Sequence, residues 1–173
     1  MAVRTILHYP DARLREPGKK VETISSELRQ LIDDMAETMY AAPGCGLAAT
    51  QVAAPWQVFV VDCAAEGEPS DLRVFVNPEI VATEGAVTSE EGCLSFPTAR
   101  EEVERAEKVR VKAQDLDGRW FELEAEGLLA IAIQHEYDHL QGVLMIDHLG
   151  PLKKRFLHRK MLRRGDATAP GPG

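Results

Sequence analysis

The chain has 173 residues, of which 45% are hydrophobic and 28% are charged, and its formal net charge is -8. A chain of this length can bury enough surface for one well-packed domain, and this composition excludes an intrinsically disordered protein. The longest apolar stretch, residues 127–133, is far shorter than the ~20 residues that span a bilayer, so we expect no transmembrane helix and no membrane partner.

The N-terminal residues and the cysteines bear on the cellular location. The opening MAVRTILHYPDARLREP contains no apolar segment of signal-peptide length, which favours a protein that is not exported. The cysteines, Cys45, Cys63 and Cys93, are odd in number and lack the spacing of a disulfide framework. We therefore expect reduced thiols in a cytoplasmic protein.

The first predicted helix lies in ISSELRQLIDDMAETMYAAPG, residues 24–44. Ser25 or Ser26 can cap it, with Glu27 in its first turn, and the Pro-Gly pair at its end stops it. Helical spacing puts a set of apolar residues on one face. They are Leu28, Leu31, Ile32, Met35 and Met39.

A strand-like pattern runs from there to about Phe121. Four β-rich runs, WQVFVVD, LRVFVNPEIV, KVRVKAQD and RWFELEAEG, are separated by turn segments such as AEGEPSD and LDGR. Because no helical crossover intervenes, the pattern predicts a mostly antiparallel, meandering sheet rather than a βαβ array.

A second helix is predicted in GLLAIAIQHEYDHLQG, residues 127–142. It is apolar on most sides before His135, which is typical of a buried helix. We therefore expect an α+β fold, in which mostly antiparallel sheets pack around this buried helix, with one further helix near each end of the chain. Residues 1–164 are expected to form a single domain.

A last helix is predicted over residues 151–164, with a proline in its first turn and Gly165 after its end. The segment GDATAPGPG, residues 165–173, is predicted to be a disordered tail. Residues 1–150 carry 13 Lys and Arg against 27 Asp and Glu, whereas residues 151–173 carry 7 against 1. A basic segment on an otherwise acidic protein either binds an anionic partner or is simply a solvent-exposed charged surface.

The stretch HEYDH, residues 135–139, carries the clearest chemical signal. His135 and His139 project from the same face of a helix one turn apart, which is a chelating geometry. Glu136 lies roughly 100° around the helix from the first imidazole, so it can reach a water on a metal but is poorly placed to bind the metal itself. Two polar side chains at a solvated helix end are the alternative; the intervening Glu and the apolar approach favour a metal.

A catalytic metal needs a third protein ligand and an open position for water. The protease pattern HExxHxxGxxH fails because Met145 stands at its last position, and the class with a downstream Glu fails because no Glu follows the second His. Three downstream candidates remain: Asp147, His148 and His158. Cys93, in EEGCLSFP, is the better candidate, since a thiolate and two imidazoles become tetrahedral once water is added. Cys45 and Cys63 are interpreted as small buried hydrophobes.

Three motifs in this order resemble the peptide deformylase family: GCGLAATQ (residues 44–51), EGCLS (91–95) and QHEYDHLQG (134–142). The opening ILHYPDARLR and the stretch AEKVRVKAQDLDG are also similar to it, so the resemblance covers about residues 5–164. What it implies is removal of the formyl group from the N-terminal formylmethionine of new bacterial polypeptides, with release of formate and a free amine.

The resemblance also implies a metal centre. Cys93, His135 and His139 would hold one divalent ion, ferrous iron natively in much of the family, with zinc, nickel or cobalt able to occupy the site. Glu136 would be the catalytic acid and base. Such an ion lowers the pKa of a bound water towards ~7, which supplies the nucleophile that formamide hydrolysis needs at neutral pH.

Four further roles follow from the resemblance. Gln51 and the backbone N–H of Leu94 would stabilise the oxyanion, and the Gly46 backbone would help to seat the peptide. Arg100 matches a position that contacts the peptide backbone in relatives; a solvated surface Arg is the alternative. Two other positions depart from the family pattern. They are Cys45, where Val or Ile is common, which adds an oxidisable thiol near the metal, and Phe96, where Ile is common.

Two other functions stay open, namely a peptidase that uses the same HExxH water and a non-catalytic metal-binding protein with a closed site. The first lacks its downstream ligand, and the second leaves Glu136 and Gln51 without a role. The expected partners are formyl-Met nascent peptides and, through the basic helix 151–164, the ribosome, at which the equivalent family helix docks. No DNA partner is expected.

Overall fold

The computed structural model describes residues 2–163 and 168–169. Within this part of the chain there are three α-helices, α1 (Ser26–Ala41), α2 (Gly127–Leu140) and α3 (Pro151–Arg163). The strands are β1 (Ile6–Leu7), β2 (Gly46–Ala48), β3 (Val58–Val61), β4 (Arg73–Glu84), β5 (Val87–Cys93), β6 (Phe96–Arg105), β7 (Lys108–Gln114), β8 (Trp120–Glu126) and β9 (Thr168–Ala169). The predicted α+β class is confirmed, and none of these described helices is long and apolar enough to cross a membrane.

The strands form antiparallel sheets. Strands β2, β3, β4, β7 and β8 follow one another in a five-stranded sheet, β5 and β6 form a separate hairpin, and β1 pairs with β9. The four β-rich runs of the sequence correspond to β3, β4, β7 and β8. The sequence did not single out β2 or the β5–β6 hairpin, because β2 has only three residues and most side chains of β5 are exposed.

Helix α1 follows the sequence prediction closely. Of the two candidate caps, Ser25 takes the role, since its hydroxyl accepts a hydrogen bond of 3.1 Å from the Leu28 N–H. All five apolar residues predicted for one face are buried, and α1 packs against β2 and β3. This packing supports the edge of the sheet from which the candidate site is built.

Helix α2 also packs against β2 and β3, and its apolar side chains join the core cluster that contains Phe59 and Phe75. Its last two turns carry His135, Glu136 and His139, which are all buried. The fold therefore presses the HEYDH segment against the edge strand β2.

Helix α3 is anchored by only part of its surface. Leu157 and Met161 are buried in a core cluster with Leu7 and Phe96, while its charged residues are exposed. The ring of Phe96, one of the departures from the family pattern, stacks on Tyr9 with centroids 4.9 Å apart. Of the tail predicted to be disordered, Thr168–Ala169 pair with β1 and the other residues lie outside the described ones.

Candidate metal centre

Three side chains that can bind a metal come together where β5 meets α2. The ligand atoms of Cys93, His135 and His139 all lie within 4.8 Å of one another. Cys93 is the last residue of β5, and its Sγ lies 3.3 Å from His139 Nε2. A thiolate and two imidazoles converging in this way make a donor set that suits a tetrahedral ion with one open position.

The imidazole of His139 fits a metal ligand for a further reason. Burial lowers its pKa well below the ordinary value, so the ring is neutral and keeps a lone pair for a metal. Within the described part of the chain, its Nδ1 is buried and has no hydrogen-bond partner. The two imidazole centroids lie 5.0 Å apart, one helical turn along α2.

The other imidazole is held by a carboxylate and a guanidinium. His135 Nδ1 lies 3.0 Å from Glu91 Oε1, and Arg105 donates hydrogen bonds of 2.8 and 3.0 Å to the two oxygens of Glu91. Burial acts to raise the pKa of Glu91, but the hydrogen bonds from His135 and Arg105 outweigh it and lower that pKa to about 2. A carboxylate on the far nitrogen of a metal-ligating His fixes its tautomer and the direction of its ring.

The three downstream candidates lie outside the cluster, each bonded elsewhere. Asp147 pairs with Arg15, His148 Nε2 lies 2.7 Å from Asp138 Oδ2, and His158 Nδ1 lies 2.5 Å from the Tyr9 hydroxyl. Among the described residues, Cys93 is thus the side chain that joins the two helix imidazoles.

Glu136 lies between the two imidazoles in sequence and is 4% exposed. Its Oε1 is buried without a hydrogen-bond partner among the residues described, and burial raises the pKa of its carboxyl group well above the ordinary value. A Cβ at Gly46 would lie 2.5 Å from Glu136 Oε2. Any larger residue at this position would therefore clash with the carboxyl group, and glycine allows β2 to pack against it. Such an unpaired buried acid is costly to the fold and typical of a site that moves protons.

Gln51 lies in the short 3-10 turn Ala49–Val52 and is fully buried. Its Oε1 accepts a hydrogen bond of 2.9 Å from the Ala48 N–H, which fixes the orientation of the amide. Its Nε2 donates to Ser95 Oγ at 3.0 Å and lies 3.8 Å from Cys93 Sγ. The Gln51 side chain therefore places an N–H donor next to the Cys93 thiol.

Leu94 and Arg100 lie on either side of the cysteine. Leu94 directly follows Cys93, and its side chain packs against Gly44, where an added Cβ would lie 3.0 Å from Leu94 Cδ1. Arg100 pairs in register with Gly92 on the β5–β6 hairpin. Its Nε donates to Glu90 Oε1 at 2.8 Å, and both side chains are about 60% exposed. The structure places Arg100 near the site, on an exposed surface.

The interpretation of Cys45 and Cys63 as buried hydrophobes is wrong for Cys45, which is exposed, while Cys63 is half-buried. Sequence reasoning also missed Glu91 and Arg105. Glu91 stands in the EGCLS motif two residues before Cys93, and this proximity could have identified it as a neighbour of the metal ligands. No sequence feature identifies Arg105, because it lies 30 residues from His135 and resembles the surface charges around it.

Comparisons with known proteins agree on one family. A family model described as polypeptide deformylase matches residues 3–155. A peptide deformylase of Alkalilimnicola ehrlichii is 50% identical over 174 residues, covering 99% of this chain and 97% of its own. One of Chromobacterium violaceum is 52% identical over 164 residues, covering 95% and 97%.

Solved structures give the same result. The crystal structure of a peptide deformylase from Legionella pneumophila has a TM-score of 0.89 and 48% identity, covering 95% of this chain and 96% of that chain. The Ehrlichia chaffeensis peptide deformylase in complex with actinonin has a TM-score of 0.89 and 34% identity, covering 95% and 98%.

Proposed function

Because this chain belongs to the peptide deformylase family, we propose that Cys93, His135 and His139 hold the metal ion at which it works. The chain is a metal-dependent hydrolase that removes the formyl group from nascent peptides. The observation that carries the proposal is the convergence of these three side chains beside Glu136, whose Oε1 is buried without a partner among the described residues. We infer that residues 1–164 act as a single catalytic domain.

The native ion is proposed to be Fe²⁺, with zinc, nickel or cobalt able to take its place. A thiolate with two imidazoles suits both iron and zinc, so the donor set supports either. When bound, the ion lowers the pKa of a coordinated water to about 7 and so provides the nucleophile for formamide hydrolysis. The Glu91 carboxylate holds the His135 ring in the direction this requires.

Glu136 is proposed to move the proton. Its carboxylate accepts the proton of the attacking water and then delivers it to the nitrogen of the leaving amine, so one group acts first as base and then as acid. Burial supports this role because it raises the pKa of the carboxyl group well above its ordinary value, so the group can hold the proton that it takes from the water.

Gln51 and the backbone N–H of Leu94 are proposed to stabilise the oxygen of the formyl group as it gains negative charge. The Gln51 amide is held by the Ala48 N–H before any substrate arrives, and such preorganised donors are effective in a buried site. The backbone amide of Leu94 adjoins Cys93 in the chain, which supports its use as the second donor.

The peptide itself is proposed to bind along β2. In the five-stranded sheet of the described residues, β2 is an edge strand that pairs with β3. An extended peptide can add to such an edge through main-chain hydrogen bonds. The main chain of Gly46, which has no side chain, is proposed to help seat the peptide, and Arg100, on the neighbouring hairpin, is proposed to contact it.

Formate release from formyl-Met-Ala-Ser, measured anaerobically and aerobically with metal analysis, tests this proposal. We expect formate from the formylated peptide, about one metal ion per chain, and no cleavage of the unformylated peptide. Cleavage of internal bonds would favour a peptidase, and a bound metal that exchanges no water would favour a closed, non-catalytic site.

The metal ligands are tested separately. Cys93→Ala is expected to lose most of its metal on dialysis, as measured by elemental analysis, because two imidazoles alone leave the ion without its thiolate. Cys63→Ala is the matched control, since it removes a thiol outside the cluster. Unchanged occupancy in the Cys93 variant would remove this residue from the ligand set.

We also propose that α3 brings the enzyme to the ribosome in the cytoplasm. Exposed cations cover this helix: Lys153, Lys154, Arg155, Arg159, Lys160 and Arg163. Because Leu157 and Met161 are buried, deleting α3 would open the core, and charge replacement is the cleaner test. Lys153→Gln with Lys154→Gln and Arg159→Gln should weaken cosedimentation with ribosomes at low salt and leave turnover of small peptides unchanged. Equal cosedimentation would contradict the idea.

A further inference from the structure

Two thiols that are far apart in sequence lie together beside the metal centre. The Asp62 N–H donates a hydrogen bond of 2.9 Å to the Cys45 carbonyl, which joins the chain before β2 to the chain after β3. This pairing places Cys45 and Cys63 on neighbouring chain segments, and a hydrogen bond between the two thiols accounts for the opposite shifts of their pKa values. Both are free, and Cys45 is exposed to solvent.

The contact makes the two sulfurs chemically different. The hydrogen bond from the Cys63 thiol lowers the pKa of Cys45 to about 7, and the same bond raises the pKa of Cys63. Near neutral pH, a substantial share of Cys45 is therefore thiolate, and Cys63 carries the shared proton. The thiolate is the reactive form of cysteine, so Cys45 combines nucleophilic character with access to solvent.

The pair also borders the proposed catalytic acid and base. Besides burial, the charge of Cys45 raises the pKa of Glu136. The next residue, Gly46, packs so closely on Glu136 that a methyl group there would lie 2.5 Å from Oε2. Because Cys45 and Gly46 are joined by one peptide bond, a movement of Cys45 would also move the residue that packs on the Glu136 carboxyl group.

We propose that Cys45 and Cys63 form a peroxide-reactive dithiol, and that its disulfide reversibly inhibits the enzyme. The Cys45 sulfur attacks one oxygen of hydrogen peroxide, the O–O bond breaks, and the departing hydroxide takes a proton from solvent and leaves as water. The Cys63 sulfur then attacks the sulfenic sulfur of Cys45, the S–O bond breaks, and the hydroxyl leaves with the Cys63 proton as a second water. Two thiols lose two electrons, and one peroxide becomes two waters.

Inhibition follows from the geometry of the new bond. A disulfide of about 2.05 Å is much shorter than a thiol–thiol hydrogen bond, so the strand ends must draw together. Because Gly46 lies so close to Glu136 that no Cβ would fit between them, we expect the shift to displace the carboxyl group. A displacement of about 1 Å can cost about 10²-fold in rate, and we expect a loss of at least about tenfold. This step rests on the proposed role of Glu136, whereas the disulfide chemistry does not.

The chemical test uses the holoenzyme loaded with Zn²⁺, which has no redox chemistry of its own. One equivalent of hydrogen peroxide is added, free thiols are alkylated, and the protein is digested with chymotrypsin, because no Lys or Arg lies between the two cysteines. We expect mass spectrometry to find Cys45 linked to Cys63, with Cys93 unmodified. Alkylation of both cysteines, or a disulfide that includes Cys93, would overturn the proposal.

Two variants assign the order of the steps. Cys63→Ser should accumulate the sulfenic acid at Cys45, detected as a dimedone adduct, because the second thiol is missing. Cys45→Ser should form neither a dimedone adduct at Cys63 nor a disulfide. An adduct at Cys63 would contradict the assignment of Cys45 as the attacking thiolate.

The activity arm compares formate release before oxidation, after it, and after dithiothreitol. We expect at least a tenfold loss that dithiothreitol restores, while Cys63→Ser, equally active when reduced, forms no disulfide and shows no such reversible loss. A mapped disulfide with unchanged turnover would overturn the inhibitory switch. If the reduced enzyme released no formate, the proposed function would fail, and the peptide map would still decide whether the dithiol exists.

Discussion

Two buried glutamates flank the candidate metal cluster of Cys93, His135 and His139, and their surroundings differ sharply. Glu91 is 6% exposed and Glu136 is 4% exposed. Both oxygens of Glu91 have partners, supplied by Arg105 and His135, and its pKa is lowered to about 2. Glu136 has an oxygen without a partner among the described residues, and its pKa is raised well above the ordinary value.

The difference teaches that burial alone does not decide what a carboxyl group does. Burial opposes the charged form in both cases, and the hydrogen bonds from His135 and Arg105 reverse this effect at Glu91. A fully paired carboxylate is a fixed anion that can orient its neighbours. An unpaired one gains or loses a proton easily, and the fold accepts the cost of burying it.

The largest expected effect comes from removing the unpaired carboxyl group. Glu136→Gln keeps the size of the side chain but cannot carry a proton, so formate release at saturating peptide should fall about 10³-fold. Metal content should stay near one ion per chain, because the residue lies outside the proposed ligand set. Turnover within about tenfold of the wild type would show that Glu136 does not carry the proton and that the contrast with Glu91 has no catalytic meaning.

The second effect is expected at the amide donor. Gln51→Leu removes the N–H that lies beside Cys93. If the donor acts on the developing oxyanion, as we propose, this variant should lower kcat about 10²-fold, with a smaller change in KM. Ser95→Ala is the control, since it removes the hydroxyl that Gln51 contacts and keeps the amide. An equal loss in both variants would mean that Gln51 serves packing alone.

Breaking the paired carboxylate should affect the metal more than the chemical step. Glu91→Gln leaves Asp138 as the remaining anion beside the buried Arg105, and the loss of the better buried partner should lower the free energy of unfolding by about 3 kcal/mol. Metal affinity should weaken about 10- to 100-fold, because His135 loses the group that orients it. Isothermal titration of the metal-free protein measures the affinity, and denaturant unfolding measures the stability.

The neighbouring Glu90 is a matched control for that variant. It pairs with Arg100 in an ion pair whose two side chains are about 60% exposed. Such pairs contribute little, so Glu90→Gln should change stability by less than about 1 kcal/mol and leave metal affinity unchanged. Similar losses in both variants would indicate that net charge, rather than the pairing at Glu91, controls the metal.

Local patterns carried most of the fold prediction. Helix α1 was predictable because its cap and its apolar face are written in neighbouring residues, and α2 because its apolar run is continuous. The β5–β6 hairpin was not, since its side chains are mainly polar and its register depends on a partner strand. Strand β2 is too short for any periodicity to appear.

The site residues also fall into those that local sequence patterns predict and those that they do not. His135 and His139 follow from helical spacing, and Cys93 was favoured because the familiar downstream ligands are missing. Arg105 was hidden because a buried cation on a strand has the same sequence appearance as its exposed neighbours. The contact between Cys45 and Cys63 arises only from the pairing of two chain segments. Sequence spacing thus predicts ligands that share one element, and long-range pairing determines what surrounds them.

The smallest expected effect extends the comparison to a paired carboxylate outside the site. Asp34, on α1, accepts hydrogen bonds from the Ala2 N–H at 2.8 Å, from Arg4 Nε at 3.0 Å and from Gln30 Nε2 at 2.8 Å. Burial acts to raise the pKa of Asp34, but these bonds outweigh it and hold the pKa below its ordinary value. Asp34→Asn should therefore lower the free energy of unfolding by about 1 kcal/mol at pH 7, with metal affinity unchanged.

The pH dependence of that loss follows from the lowered pKa. A carboxyl group whose pKa is depressed by folding contributes stability that is fully present above its unfolded pKa of about 3.9 and disappears as pH falls through its folded pKa. The difference between wild type and Asp34→Asn should thus be constant from pH 7 to about 5 and shrink below about pH 4, as measured by urea unfolding. A difference that grew in acid would mean that Asp34 is unpaired in solution. It would then resemble Glu136 rather than Glu91, and hydrogen-bond pairing would no longer distinguish structural carboxyl groups from the proposed catalytic one in this protein.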